Sequence, residues 1–123
     1  MPNSGLRGPF SLKTAEVNGA VTVKSAGAYA LGYTNQGNTF IIQYVGRSDD
    51  DVNARLQKHV IEAYPQFKFE YYPSAKAAFE KECNLYHDFN PPDNKVHPAR
   101  PENANWGCPR CAKFSSSGAM PRW

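Results

Sequence analysis

Two apolar runs separated by a short polar connection constrain this chain more than any other feature. Ala28 to Tyr33 and Phe40 to Val45 both read as strands, and Thr34-Asn35-Gln36-Gly37-Asn38 supplies the turn between them. Such a pair closes most simply as an antiparallel hairpin. Ser48 then reads as a helix N-cap, with Asp51 three residues on approximating a capping box. Asp49, Asp50 and Asp51 suit the positive end of the helix dipole, and helix initiation is their plainest role. Val52, Leu56, Val60 and Ala63 make the helix stripe, which Pro65 ends.

Further on, Phe67, Phe69 and Tyr71 alternate with Lys68, Glu70 and Tyr72, the period of a half-buried strand. Pro73-Ser74 opens a second helix, whose Ala75, Ala78, Phe79, Leu85, Tyr86 and Phe89 repeat at helical spacing. The expected architecture is α/β: a small three-stranded antiparallel sheet flanked by helices, in the order β-β-α-β-α. Its 123 residues suit one domain. Residues 1–26 read as an N-terminal extension with a short strand at Ala20–Val23, and residues 27–90 as the domain itself. Residues 91–114 read as a proline-rich segment and cysteine knuckle packed on the domain, and 115–123 as a flexible tail.

Composition narrows the function classes only mildly. The net charge of +3 is compatible with a phosphate-binding surface without requiring one. No run approaches the ~20 apolar residues of a membrane span. Met1 to Phe10 lacks the pattern of a secretory signal. Three cysteines are too few and too odd in number for a disulfide framework, so a reducing, cytoplasmic setting is the expectation.

Glu82 is the residue out of place. At about 100° per residue it falls in the middle of the second helix's apolar stripe. A carboxylate there must be buried or must line a cleft, and an unpaired buried carboxylate costs several kcal/mol. An ion pair, a hydrogen bond to a tyrosine, or a hard divalent cation such as Mg²⁺ would each satisfy it. On the first helix Arg55 and His59, four apart, share a face bordering the stripe. That arginine could hold a phosphate in bidentate fashion, and the histidine could relay a proton; a solvated helix face is the ordinary alternative.

Cys83 and His87 lie one turn apart on the second helix, and Cys108-Pro109-Arg110-Cys111 forms a Cys-x-x-Cys knuckle downstream. Together they supply four ligands of the kinds tetrahedral Zn²⁺ favours, with His97 as an alternative fourth ligand. A zinc clip would hold the proline-rich segment against the domain. The alternative is a redox or inert dithiol at Cys108 and Cys111, with Cys83 a small core residue.

Gly27-Ala28-Tyr29, Tyr44-Val45-Gly46, Arg55, His59 and Glu82, in this order and on these elements, resemble the GIY-YIG endonuclease family over roughly residues 27–90. Ala28 replaces the usual isoleucine, and the interval from Gly46 to Arg55 is one residue longer than usual. The resemblance implies a DNA phosphodiesterase using one divalent cation, Mg²⁺ or Mn²⁺. By the same resemblance Glu82 would hold the cation, and Arg55 would stabilise charge on the phosphate. Tyr29 or Tyr44 would activate or position the attacking water, and His59 would assist proton transfer. Asn90 or Asn94 could match a further family asparagine. The DNA partner could be branched or nicked, and Lys58, Lys76, Lys95, Arg100, Arg110 and Lys113 could follow its backbone. The tail Asn105-Trp106-Gly107-Cys108-Pro109-Arg110-Cys111 is similar to one in some small bacterial and phage GIY-YIG-like proteins. A non-catalytic nucleic-acid-binding or protein-interaction module on the same scaffold is the alternative.

Overall fold

The structure is a computed structural model that describes residues 4–62, 64–99 and 106–111. Ala63, Arg100, Asn105, Lys113 and the expected tail at 115–123 lie outside the described residues.

The chain runs β1 (Arg7–Ser11), α1 (Thr14–Ala20), β2 (Gly27–Thr34), β3 (Phe40–Ser48), α2 (Val52–His59), β4 (Gln66–Tyr71) and α3 (Ala75–Phe89). The expected hairpin is β2–β3. Its loop is closed by Asn35, whose backbone N–H donates to the Thr39 carbonyl and whose side chain accepts from the Thr39 N–H. Asn38 takes a left-handed conformation there, φ 65°, which Asn tolerates better than most residues.

Four antiparallel strands form the sheet, in the order β1-β4-β2-β3, where three were expected. The fourth is the N-terminal segment: Arg7 pairs with Phe69, and Phe10 with Phe67, along the outer edge of β4. The expected strand at Ala20–Val23 is absent as well. The chain is instead helical from Thr14 to Ala20. Val17 and Val21, four apart, bury themselves in the core, a spacing that belongs to one helix face rather than to a strand.

Helices cover both faces of the sheet. Tyr29 and Leu31 of β2 pack with Phe67 and Phe69 of β4 against Val17 of α1 and Val52 and Leu56 of α2. The intervening Ala28 and Ala30 pack with Ile42 and Val45 of β3 against Leu85 of α3. β2 is therefore buried on both faces from Gly27 to Gly32, and its small alanines let α3 approach closely.

The helix ends have local chemical causes. Asp51, not Ser48, is the N-cap of α2, and its side chain accepts from the Ala54 N–H. Ser48 instead folds the preceding turn, its hydroxyl oxygen accepting from the N–H groups of Asp50 and Asp51. Ser74 caps α3 through the Ala77 N–H. Asn90 ends that helix in the left-handed conformation, φ 45°. No helix of the described residues is long and apolar enough to cross a membrane.

Candidate active site and metal centre

Alternation along β3 sends Tyr44 and Gly46 toward the α2 face and Val45 and Arg47 toward the α3 face. β3 is an edge strand, so groups from both faces can meet around it. They do so in a cleft of about 490 Å³. Tyr29 and Tyr44, Arg55 of α2 and Glu82 of α3 all line it, and so does the segment from Asn94 to Ala99. Arg55, on α2, lines the cleft.

Tyr29 and Gly46 are cross-strand partners. A Cβ on Gly46 would stand 2.5 Å from the Tyr29 hydroxyl oxygen, so only glycine lets the ring lie across the strand. From there the hydroxyl meets His59 Nε2 at 2.8 Å. His59 Nδ1 lies 2.9 Å from Glu62 Oε1. An ionised carboxylate can only accept, so Nδ1 carries a proton, and in the neutral imidazole Nε2 accepts from the tyrosine. Tyr29, His59 and Glu62 thus form one chain of hydrogen bonds, with the imidazole 5.4 Å from both tyrosine rings. Burial pushes the Tyr29 phenol well above its ordinary value. Burial likewise raises Tyr44.

Glu82 is 7% exposed, as its place on the stripe requires. Arg47 Nη1 donates to its Oε1 at 2.7 Å, while Arg47 Nε donates to Asp49 at 2.8 Å. The guanidinium also sits over the Phe79 ring, 5.1 Å from its centroid. Burial is the largest influence on the Glu82 carboxyl and pushes it up; the bond from Arg47 opposes that. Arg47 was not among the residues singled out from sequence. Its signal was the two-residue alternation that puts it, with Val45, on the α3 face. Glu62, three residues after His59 on the same turn, was missed as well.

A second group adjoins the cleft and shares His97 with it. Ligand atoms of His87, His97, Cys108 and Cys111 all fall within 4.8 Å of one another, and the four could hold a metal ion. Cys108 Sγ is 3.4 Å from His87 Nε2, and Cys111 Sγ is 3.4 Å from His97 Nε2. Ligands around a tetrahedral zinc stand roughly 3.3 to 3.8 Å apart. His97 Nδ1 is 2.9 Å from the Pro98 carbonyl, which can only accept, so Nδ1 is protonated and the Nε2 lone pair points at the group. The Cys108 sulfur also accepts the Arg110 N–H.

The group differs from the expected set by one member: His97 joins it in place of Cys83, not of His87. Cys83 is fully buried beside Phe79, Cys108 and Trp106, and burial pushes its thiol up. Trp106 packs on Phe79 at 5.8 Å and seats the knuckle on α3.

Of the two candidate asparagines, Asn90 caps α3, whereas Asn94 lines the cleft. Compared with known proteins, the chain matches no family model, no curated protein and no solved structure.

Proposed function

We propose that the protein is a metal-dependent endonuclease that cleaves DNA phosphodiester bonds with one divalent cation, Mg²⁺ or Mn²⁺, held at Glu82. One observation carries this reading: Tyr29, Tyr44, Arg55 and Glu82, from two strands and two helices, line a single cleft. A buried carboxylate at a cleft that Asp49 and Asp50 also line suits a small hard cation, which takes one or two carboxylates and completes its shell with water and phosphate. When bound, that cation lowers the pKa of water and neutralises charge developing on the phosphate.

The chain's own groups supply the rest. Arg55 stands on the α2 wall, in reach of a phosphate oxygen. Tyr29 stays protonated at neutral pH, so it is no free base. It can accept a proton from water only while passing its own to His59 Nε2. Glu62 then balances the imidazolium, as the third member of a relay does. The His87, His97, Cys108 and Cys111 group holds a structural Zn²⁺ in the same reading. A reducing, cytoplasmic setting would keep those ligand thiols available.

A non-catalytic nucleic-acid-binding module is the second reading, favoured by Arg47 already neutralising Glu82. One assay separates the two: nicking of plasmid and branched DNA with Mg²⁺ or Mn²⁺, by the wild type and by Glu82→Ala. Cleavage by the wild type and none by the variant is expected. DNA that is bound but left intact by the wild type assigns the second reading.

A further inference from the structure

The part of the cleft lining formed by residues 94–99 is fastened at both ends, and the two fastenings are of different kinds. At one end, Asp93 and Asn94 are zipped to the outer edge of β3. The Asp93 N–H donates to the Gln43 carbonyl at 2.9 Å. Asn94 accepts the Val45 N–H at 2.8 Å and donates to the Val45 carbonyl at 3.0 Å. The asparagine side chain thus takes the place of a neighbouring strand on an edge that would otherwise be unpaired. At the other end, three residues on, His97 belongs both to the cleft wall and to the four-residue metal group.

Between the fastenings stand Lys95 and Val96, both exposed, Val96 to 75%. Of the basic residues expected to follow a nucleic-acid backbone and described here, Arg110 is paired with Asp88 and Lys76 with Glu80. Only Lys95 lines the cleft. Arg47 is committed to Glu82 and Asp49. Among the described residues, Arg55 and Lys95 are thus the arginine and lysine of the cleft outside any ion pair.

We infer that residues 94–97 form a metal-stapled lip that grips the sugar-phosphate backbone through Lys95, so the His/Cys metal centre sets substrate affinity rather than chemistry. The inference rests on the nuclease reading for the identity of the substrate, but the staple stands on geometry alone. A short loop pinned at both ends loses little entropy when it engages a ligand, which is how a metal remote from the reacting atoms acts on binding. With the metal gone, His97 loses its ligand bond and keeps its ring contacts with Tyr86 and His87, while Asp93 and Asn94 still hold the other end.

Two measurements test this. Trypsin cuts after lysine, so cleavage at the Lys95–Val96 bond reports how tightly the lip is held. Zinc-loaded protein is expected to resist, and protein stripped with a zinc-selective chelator to be cut at least ~10-fold faster, since cleavage follows the population of the open form. DNA affinity, measured in Ca²⁺ to block turnover, is expected to fall in parallel in the stripped protein and in Cys111→Ser. Asn94→Ala, which cuts the other fastening without touching a ligand, is expected to do the same at unchanged zinc content.

Lys95→Ala is expected to keep its zinc, weaken DNA binding about fivefold and lower the slope of log affinity against log salt by about 1. Equal trypsin rates with and without zinc overturn the staple. A Lys95→Ala protein with wild-type affinity and salt slope overturns the lip as a backbone contact. If the zinc-loaded wild type binds no DNA at all, the nuclease reading fails and takes the lip's substrate with it, while the trypsin comparison still decides the staple.

Discussion

The Tyr29 hydroxyl reaches His59 Nε2 at 2.8 Å because its cross-strand partner, Gly46, leaves the strand surface bare beneath it. A single methyl group at position 46 would occupy the space of the phenol, with 2.6 Å left to its Cζ. Gly46→Ala therefore forces the Tyr29 ring off His59. The expected outcome is a loss of about 100-fold in nicking rate, the scale of a misplaced reacting group, at a stability cost of about 1–3 kcal/mol. Single-turnover kinetics and urea denaturation on the same preparation check both; a fast Gly46→Ala enzyme would show that Tyr29 need not touch His59.

Arg47 is the internal cation of Glu82, and a bound divalent ion would share that task. Arg47→Met leaves a buried carboxylate without its partner, which costs about 3 kcal/mol. Ligand binding to the folded state raises its stability by mass action. Mg²⁺ is therefore expected to raise the Tm of Arg47→Met more than that of the wild type. A thermal melt with and without Mg²⁺ reads this directly, and equal shifts would mean that the ion does not sit at Glu82.

Glu62 holds the ring nitrogen of His59 that does not face Tyr29, its carboxylate 2.9 Å from Nδ1. Glu62→Gln keeps an acceptor there and so keeps the tautomer, but removes the charge that balances an imidazolium. The expected effect is about a tenfold fall in kcat with KM unchanged, at the low end for a general acid–base group because the site is open to water. A change in KM alone would reassign Glu62 to substrate binding.

Away from the cleft, Arg7 holds Glu70 in a two-pronged ion pair, Nε to Oε1 at 3.0 Å and Nη2 to Oε2 at 2.7 Å. The hydrogen bond from Arg7 holds the Glu70 carboxyl below its ordinary range. A carboxyl whose folded pKa is depressed contributes stability above its unfolded pKa and loses it as pH falls through the folded value. Glu70→Gln is thus expected to melt slightly below the wild type at pH 7. The gap should close on acidification past the carboxylate range and narrow in high salt. Melts across that pH range check the sign.

Local chemistry made much of this fold legible. The β2–β3 hairpin followed from two apolar runs and an Asn/Gly turn. The apolar repeat of α3 was enough to bury Glu82, since helical period alone puts position 82 among Ala78, Phe79 and Leu85. α2 was legible in outline, though its cap moved from Ser48 to Asp51: both can accept backbone N–H bonds, and only the turn geometry chooses between them. α1 was missed because one pair of valines, Val17 and Val21, is too short a repeat to stand out from the surrounding polar residues.

What the sequence by itself determined is the inventory of strands and helices in the 27–90 region and the faces they present, because period and capping act over a few residues. Only tertiary structure decided who meets whom. β1 joins β4, tying Arg7 to Glu70 across 63 positions, because β4 had an open edge that the hairpin did not use. Arg47 reaches Glu82 because α3 packs on the face of β3 that Val45 and Arg47 share. His97 joins the group that could hold a metal, three residues after Asn94 pins the chain to the edge of β3, while Cys83 lies buried beside Phe79, Cys108 and Trp106. Spacing along the chain carries no record of these meetings, since each depends on which sheet edge and which helix face remain open once the local elements have formed.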